Sequence, residues 1–162
     1  MWGRKQKVTV TEGAQAPAFQ LRALSGEKRS LSEILQNGPA LLVFYKISCP
    51  VCQLTAPYLQ RLSAGPNLQV IGISQDDETS TQSFNQRFGV KFPTLLDQVQ
   101  EGYPASNGFG ISSVPSLFLV EQNGKVAKAF HGFSKHDIEA LGERAGAPVF
   151  RPDDNVPEWK AG

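Results

Sequence analysis

The chain has 162 residues, of which 40 % are hydrophobic and 19 % charged, and its formal net charge is +1. This length suits one domain with a packed core, and the near-neutral charge provides no basic face for nucleic acid. No stretch reaches the roughly 18 apolar residues that a membrane span requires. Basic residues at the N-terminus precede no apolar segment, so we predict no secretory signal and a cytoplasmic protein, or an exported one if a signal or anchor was trimmed.

The first predicted elements are a short strand, a turn and a brief helix. The strand is predicted over residues 18–24, and residues 25–27 turn the chain. Ser30 and Glu33 fit a capping box, which predicts a helix that stops at residues 37–39.

Two apolar runs predict buried strands, each followed by a helix. The run at residues 40–45 is too short for a buried helix and is typical of a central strand covered on both faces. A helix is predicted to begin at Pro50, where the missing N–H costs nothing, and to end before Gly65. Residues 68–73 predict the second strand, and its helix ends at Gly89.

The C-terminal half predicts a hairpin and a last helix. Residues 116–120 form a strand, residues 122–125 contain the Asn-Gly pair of a tight turn, and residues 126–133 form the returning strand. Ser134 is predicted to cap the final helix. Residues 147–162 are rich in proline and aspartate, which predicts an extended segment on the surface.

This order of elements predicts an α/β fold with a mixed central sheet and helices on both faces. Strand–helix–strand units with short connections give parallel strands, and the hairpin adds antiparallel ones. The predicted organisation is an N-terminal tail at residues 1–15, one domain at residues 16–146 and a C-terminal extended tail at residues 147–162.

The chain has two cysteines, Cys49 and Cys52, which close too short a loop to staple a fold. They could be half of a metal site, an incidental pair or a redox dithiol. A zinc site would need His131 and His136, which lie nearly half the chain away, so we predict no metal. An incidental pair is disfavoured because both cysteines occupy one place, where a central strand enters a helix.

The place of the cysteine pair favours redox chemistry. In open α/β sheets, active sites lie at the carboxyl ends of the strands. Cys49 would lie at the helix N-terminus, where free N–H groups and the helix dipole stabilise a thiolate. Cys52 lies one turn further on, close enough to attack a mixed disulfide formed at Cys49. This chemistry requires no cofactor, because the sulfurs carry the electrons.

Two motifs resemble those of the thioredoxin superfamily. Residues 49–52, Cys-Pro-Val-Cys, are followed by Ala56 and Pro57, as in the thioredoxin active-site helix. Residues 110–120, which contain Val-Pro before a strand, resemble the second thioredoxin signature. The resemblance implies that the Val114–Pro115 peptide bond is cis and that Pro115 lies beside the dithiol.

The N-terminal part is similar to the TlpA-like and peroxiredoxin-like (AhpC/TSA) branch of the superfamily. This similarity rests on residues 16–19, Gly26 and residues 31–32, and it implies a thioredoxin-like fold with an N-terminal β-hairpin extension. The resemblance extends over residues 16–146. Four residues around the dithiol are implied to bind substrate: Val114, Pro115, Pro50 and Val51.

Two positions depart from the family pattern. Thioredoxin has a buried aspartate where this chain has Val43, and the TlpA-like branch often has a glutamate where this chain has Thr55. The usual carboxylate that deprotonates Cys52 is therefore absent, which leaves water, Lys46 or another carboxylate to substitute. Three acidic residues follow a neighbouring strand at the same sheet edge, with helix capping as their simpler role: Asp76, Asp77 and Glu78.

We predict an enzyme, a thiol–disulfide oxidoreductase that exchanges disulfides with protein or small thiol partners. It is expected to act as a monomer and to engage a protein disulfide or dithiol through a mixed disulfide. One alternative is a peroxiredoxin-like thiol peroxidase with Cys52 as the peroxidatic cysteine. Peroxiredoxins have Thr or Ser at the position of Cys49 and proline at that of Tyr45, which counts against it. A non-enzymatic thioredoxin-fold binding module is the other alternative, and the intact dithiol argues against it.

Overall fold

A computed structural model describes residues 9–162 of the chain. The basic residues near the N-terminus, Arg4, Lys5 and Lys7, lie outside the described residues. The strands are β1 (Gln20–Ala23), β2 (Lys28–Ser30), β3 (Ala40–Tyr45), β4 (Gln69–Ser74), β5 (Thr94–Leu96), β6 (Ser116–Val120), β7 (Val126–His131), β8 (Phe133–Ser134) and β9 (Trp159–Lys160). The α-helices are α1 (Leu31–Gln36), α2 (Pro50–Leu62), α3 (Glu78–Phe88), α4 (Pro104–Phe109) and α5 (Lys135–Ala145).

Seven strands form one mixed sheet in the order β2-β1-β5-β4-β3-β6-β7. At its centre, β3 is parallel to β4 and antiparallel to β6, while β4 is parallel to β5. The first two strands form an antiparallel hairpin at one edge. The mixed sheet and the N-terminal hairpin were both predicted from the sequence and are confirmed.

The central strand β3 separates two layers of the core. Its side chains point alternately to the two faces of the sheet. Leu41, Val43 and Tyr45 pack with buried residues of α2, α3 and α5. Leu42 and Phe44 pack with those of α1 and α4. Helices therefore cover both faces, as predicted, and Val43 and Tyr45 lie on the same face as the helix that carries the dithiol.

The returning strand of the second hairpin is shorter than predicted. β7 ends at His131, and β8 begins after Gly132, whose φ is +76°. A Cβ atom at Gly132 would also collide with the backbone carbonyl of Lys160. Glycine is needed here because the chain turns in a left-handed conformation and another backbone approaches closely. After this break, β8 pairs with β9: Phe133 lies opposite Lys160, and Ser134 lies opposite Trp159.

Residues 147–162 contain a turn and the short strand β9, and they pack against α2 before they reach β8. Arg61 donates to the carbonyl of Val149 at 3.0 Å and pairs with Asp154 at 2.6 Å. The hydrogen bond from Arg61 to Asp154 lowers the pKa of the Asp154 carboxyl. The ring of Phe150 lies 5.0 Å from that of Tyr58, between centroids. The segment is thus fixed at its middle, on the helix that begins beside the cysteines.

The residues just before position 16 also contact the domain. The N–H of Val10 donates to the carbonyl of Phe109 at 3.0 Å, and the N–H of Val126 donates to the carbonyl of Ala14 at 2.9 Å. Segments on both sides of the predicted domain therefore hydrogen-bond to it, and its boundaries stay predictions. Within residues 9–162, none of the helices has the length and hydropathy needed to cross a bilayer.

Candidate active site

Cys49 caps the N-terminus of α2 with its sulfur. Pro50, at the first helical position, has no N–H to satisfy. The N–H of Cys52 donates to Cys49 Sγ at 3.1 Å, in the way that capping oxygens accept a helix N–H. The positive end of the helix dipole lies at the same place. Cys49 therefore lies at the N-terminus of the helix, the position that the sequence predicted.

The segment before β6 lies on the other side of Cys49. Cys49 Sγ donates to the backbone carbonyl of Val114 at 3.4 Å. The Val114–Pro115 peptide bond is cis, which confirms the prediction. Cys49 and Val114 are half-buried, while Pro115 is buried. Cys49 is therefore the sulfur that solvent can reach, and it lies between α2 and the Val-Pro segment.

Cys52 is buried behind Cys49, with 3 % of its surface exposed. Burial raises the pKa of the Cys52 thiol well above its usual value, and a hydrogen bond with the Cys49 side chain raises it further. Desolvation acts this way because it penalises the charged thiolate more than the neutral thiol. Cys52 therefore keeps its proton at neutral pH in the dithiol form.

A cavity of about 10 Å³ adjoins Cys52, barely enough for one water molecule. Besides Cys52, two polar side chains line the cavity, and both already have hydrogen-bond partners. Tyr45 donates its hydroxyl to Asn85 Oδ1 at 2.8 Å, and Thr55 donates to the carbonyl of Val51 at 2.6 Å. The other lining residues beside Cys52 are Val43, Ala56, Leu59, Phe84, Val90, Phe92 and Pro115.

The two departures from the family pattern meet at this cavity. Val43 and Thr55 both line it, and their exposed fractions are 2 % and 1 %. A carboxylate at either position would lie next to Cys52, and here both side chains lack an ionisable group. Burial also raises the pKa of Tyr45 to about 12, so this phenol keeps its proton. The cavity lining thus offers Cys52 no proton acceptor at neutral pH.

Two of the three acidic residues at the neighbouring strand have structural roles. Asp77 caps α3 and accepts from the N–H of Ser80 at 2.7 Å, which lowers the pKa of its carboxyl. Glu78 lies 3.5 Å from Arg22. The capping role predicted for Asp77 is confirmed.

Asp76 has a role that the sequence did not reveal. Its Oδ2 accepts from the N–H of Ile47 at 2.8 Å, in the loop that leads to Cys49. Gln53 donates to the carbonyl of Ile47 at 3.0 Å and fixes the same loop from α2. The negative charge of Asp76 also contributes to the raised pKa of Cys52. Asp76 and Gln53 therefore position the loop that presents Cys49.

The structure brings the four predicted substrate-binding residues together around Cys49. Pro50 is exposed and Val51 is buried beside it on α2, while Val114 and Pro115 form the opposite wall. Their role in binding substrate stays a prediction. The two histidines lie elsewhere, at the end of β7 and in α5. Across residues 9–162, three or more His, Cys, Asp or Glu side chains do not gather in a metal-binding arrangement.

Residues 159–162, which the sequence placed only on the surface, lie beside the site. We call residues 159–162 the C-terminal strap. Trp159, Lys160 and Ala161 line an open groove with Pro50, Val51, Leu54 and Pro157. Gly162 lies so close to Val114 that a Cβ atom would collide with the Val114 carbonyl oxygen. A two-residue strand has no periodicity to recognise, so no sequence signal could have found this contact.

Comparison with known proteins agrees with this geometry. The AhpC/TSA family model matches residues 13–129. ResA, a thiol–disulfide oxidoreductase of Geobacillus thermodenitrificans, is 29 % identical over 140 residues, which cover 83 % of this chain and 78 % of ResA. YneN, a thioredoxin-like protein of Bacillus subtilis, is 28 % identical over 142 residues, which cover 83 % of this chain and 81 % of YneN.

Solved structures show the same fold. The thioredoxin domain of a thiol–disulfide oxidoreductase from Bacteroides vulgatus superposes with a TM-score of 0.74 at 21 % identity, over 84 % of this chain and 98 % of that one. DsbF of Mycobacterium tuberculosis superposes with a TM-score of 0.68 at 27 % identity, over 79 % of this chain and 92 % of that one. The predicted thioredoxin-like fold is confirmed. The family model covers well over half of the residues of this chain, and the chain therefore belongs to the AhpC/TSA family, on the TlpA-like branch of the thioredoxin superfamily.

Proposed function

We propose that this thiol–disulfide oxidoreductase exchanges disulfides with a partner protein, with Cys49 as the attacking sulfur and Cys52 as the resolving sulfur. The observation that carries the proposal is the unequal placement of the two thiols. Cys49 is half-buried and accepts a helix N–H, whereas Cys52 is buried directly behind it. A partner sulfur can therefore reach Cys49 first, and Cys52 is held where it can displace that partner.

The exchange runs in two balanced steps, written from the dithiol form. The Cys49 thiolate attacks one sulfur of the partner disulfide, whose S–S bond breaks; the other partner sulfur leaves as a thiolate and takes up a proton. Cys52 then loses its proton and attacks Cys49 Sγ, which forms the Cys49–Cys52 disulfide and releases the second partner thiolate. Counted from the Cys49 thiolate, the partner gains two electrons and the cysteine pair loses two, while the one proton that Cys52 loses balances the one that the first partner thiolate takes up. The reverse sequence oxidises a partner dithiol.

The mixed disulfide itself makes the second step easier. In the dithiol form, the hydrogen bond with Cys49 and the charge of Cys49 both raise the pKa of Cys52. Once Cys49 Sγ is bonded to the partner, it carries no charge and no proton, so these two contributions disappear. Burial, the largest cause, remains. Cys52 therefore becomes a better nucleophile only after a partner is bound.

The site is complete within one copy of the chain, which supports action as a monomer. Cys49, Cys52, Val114 and Pro115 all come from the same chain and contact one another there. We expect the purified protein to elute as a monomer in size-exclusion chromatography and to be fully active at that size.

A disulfide-reduction assay with cysteine variants tests the proposal. We expect the reduced protein to reduce the disulfides of insulin and the Cys49→Ser variant to lose this activity. The Cys52→Ser variant should accumulate a mixed disulfide through Cys49, visible as a mass increase on a non-reducing gel. Serine is the matched replacement because it removes the thiol and keeps the size of the side chain.

Two outcomes would contradict the proposal. If Cys52→Ser turned over insulin as fast as the parent, a two-cysteine mechanism would be wrong. If the protein consumed hydrogen peroxide rapidly but left disulfides intact, the peroxidase alternative would replace it. The 3 % exposure of Cys52 does not suit a sulfur that must meet peroxide first.

A further inference from the structure

The C-terminal strap lies where a partner protein must approach Cys49. On one side of Cys49, the strap faces Pro50 and Val51 across the groove. On the other side, Gly162 is in contact with the backbone of Val114, whose carbonyl accepts from Cys49 Sγ. An extended polypeptide that enters the site along Val114 would therefore meet the strap backbone first.

The strap is held more weakly than the segment before it. Its four residues are exposed, and Trp159 has 55 % of its surface in solvent. Its sheet pairing with β8 extends over two residue pairs. The hydrogen bond from the N–H of Lys135 to the carbonyl of Glu158, at 3.0 Å, lies just outside it. Short, exposed ladders of this kind open locally at low cost in free energy.

The preceding residues stay attached when the strap leaves. The bidentate pair between Arg61 and Asp154 and the packing of Phe150 on Tyr58 lie upstream of the strap. Displacement of residues 159–162 therefore leaves the rest of the C-terminal segment on α2, and the strap can return to the same place. The strap can therefore compete with a partner for the Val114 edge while it stays attached to the domain.

We propose that residues 159–162 form a displaceable strap over the partner-binding edge, and that it selects against protein disulfides whose chain cannot displace it. This inference rests on the proposed function, because it concerns access to Cys49. A protein disulfide brings an extended backbone that needs the Val114 edge, so it must compete with the strap. A small disulfide reaches the half-exposed sulfur without the edge, so the strap does not affect it.

The size of the effect follows from how often the strap is seated. The apparent affinity of a site falls in proportion to the fraction of molecules in which the site is free. A strap seated about 90 % of the time would raise the KM for a protein disulfide about tenfold. The rate constant for a small disulfide would stay the same.

A truncated variant that ends after Glu158 tests the proposal. It keeps Asp154, Phe150 and the Glu158 carbonyl, and it lacks only the strap. Reduction is measured with insulin as the protein disulfide and with bis(hydroxyethyl) disulfide as the small one. We expect KM for insulin to fall about tenfold and the rate with the small disulfide to stay within about twofold of the parent.

A full-length variant keeps the test independent of truncation. In Gly162→Ala, the new Cβ atom would collide with the Val114 carbonyl and unseat the end of the strap. The matched control is Gly108→Ala, where the new Cβ atom would lie an ordinary 3.6 Å from Pro17. We expect Gly162→Ala to lower KM for insulin part of the way toward the truncated variant, and Gly108→Ala to behave as the parent.

The outcomes separate this inference from the proposed function. If both strap variants kept the parent's KM for insulin, the strap would not compete with the partner. If truncation raised KM for insulin, the strap would be part of the docking surface, and the proposal would be overturned. If the parent reduced neither insulin nor the small disulfide, the proposed function itself would fail.

Discussion

The surroundings of the two cysteines differ although the residues are one helical turn apart. Cys49 accepts an N–H from the helix, donates to the carbonyl of Val114 and is open to solvent on one side. Cys52 faces a cavity of about 10 Å³ whose lining is apolar or already hydrogen-bonded. The helix end donates an N–H to the Cys49 sulfur, whereas burial disfavours negative charge on the Cys52 sulfur.

In the proposed mechanism, the positions of the two cysteines alone determine the order in which they react. Neither cysteine has a histidine or a carboxylate among the residues that the structure shows hydrogen-bonded to its sulfur. In the proposed mechanism, the first attack comes from the cysteine that caps the helix, and the second requires the buried thiol to lose its proton.

The largest expected effect is on the pH dependence of the resolving step. Burial keeps the pKa of Cys52 high, and only its thiolate attacks the mixed disulfide. Below the pKa, the thiolate fraction rises tenfold per pH unit, so the rate should increase about a hundredfold from about pH 6 to about pH 8. Stopped-flow mixing of the reduced protein with a chromogenic disulfide measures this phase. A plateau below about pH 7 would show that Cys52 is not held protonated.

A smaller effect is expected in alkylation of the reduced protein. With limiting iodoacetamide at neutral pH, Cys49 should be labelled at least about tenfold more than Cys52, since the buried thiol is protonated and shielded. Peptide mass mapping after digestion gives the ratio. Preferential labelling of Cys52 would reverse the assigned roles.

The contrast should also appear in stability at alkaline pH. The folded-state pKa of Cys52 is raised above the ordinary value of 9.0, so the folded state holds the proton that the unfolded chain releases. Stability from this group is therefore complete below about pH 9 and is lost as pH rises further, by about 1.4 kcal/mol per unit. Urea unfolding of the reduced protein at several pH values measures the slope. The Cys52→Ser variant should lack this component, and an equal slope in both proteins would contradict the assignment.

The smallest effect concerns the hydrogen bond of Tyr45, which lines the cavity. In Tyr45→Phe, Asn85 Oδ1 loses the donor that now lies at 2.8 Å, in a buried place. The expected loss is about 1 kcal/mol in the free energy of unfolding, measured by urea titration at neutral pH. The rate of disulfide reduction should stay close to that of the parent, because the Tyr45 hydroxyl is proposed to take no part in proton transfer. A large loss of activity at unchanged stability would give Tyr45 a role in the reaction.

Much of the fold could be predicted because its signals are local. The apolar run at residues 40–45 gave the bounds of β3, and Ser30 and Ser134 cap their helices as predicted. Each of these features depends on neighbours within a few residues. The cysteine motif and the Val-Pro pair could also be recognised in the sequence, because each occupies one local turn of the chain.

The rest of the site depends on contacts between distant residues. Asp76 bonds to Ile47 across 29 positions, and the strap reaches Val114 from the far end of the chain. The raised pKa of Cys52 comes from burial beneath residues of several elements, which only the packed sheet brings together. Neither pattern nor spacing encodes these contacts, because they arise from how the layers pack.

Helix α2 carries the dithiol at its first turn and the anchor of the C-terminal segment, Arg61, near its last. An α-helix advances 1.5 Å and turns 100° with each residue, so its length fixes the direction in which Arg61 points relative to Cys52. One inserted or deleted residue between them would swing Arg61 away from Asp154 and carry the whole segment off the site. We therefore expect this stretch of α2 to accept changes of side chain more readily than changes of length.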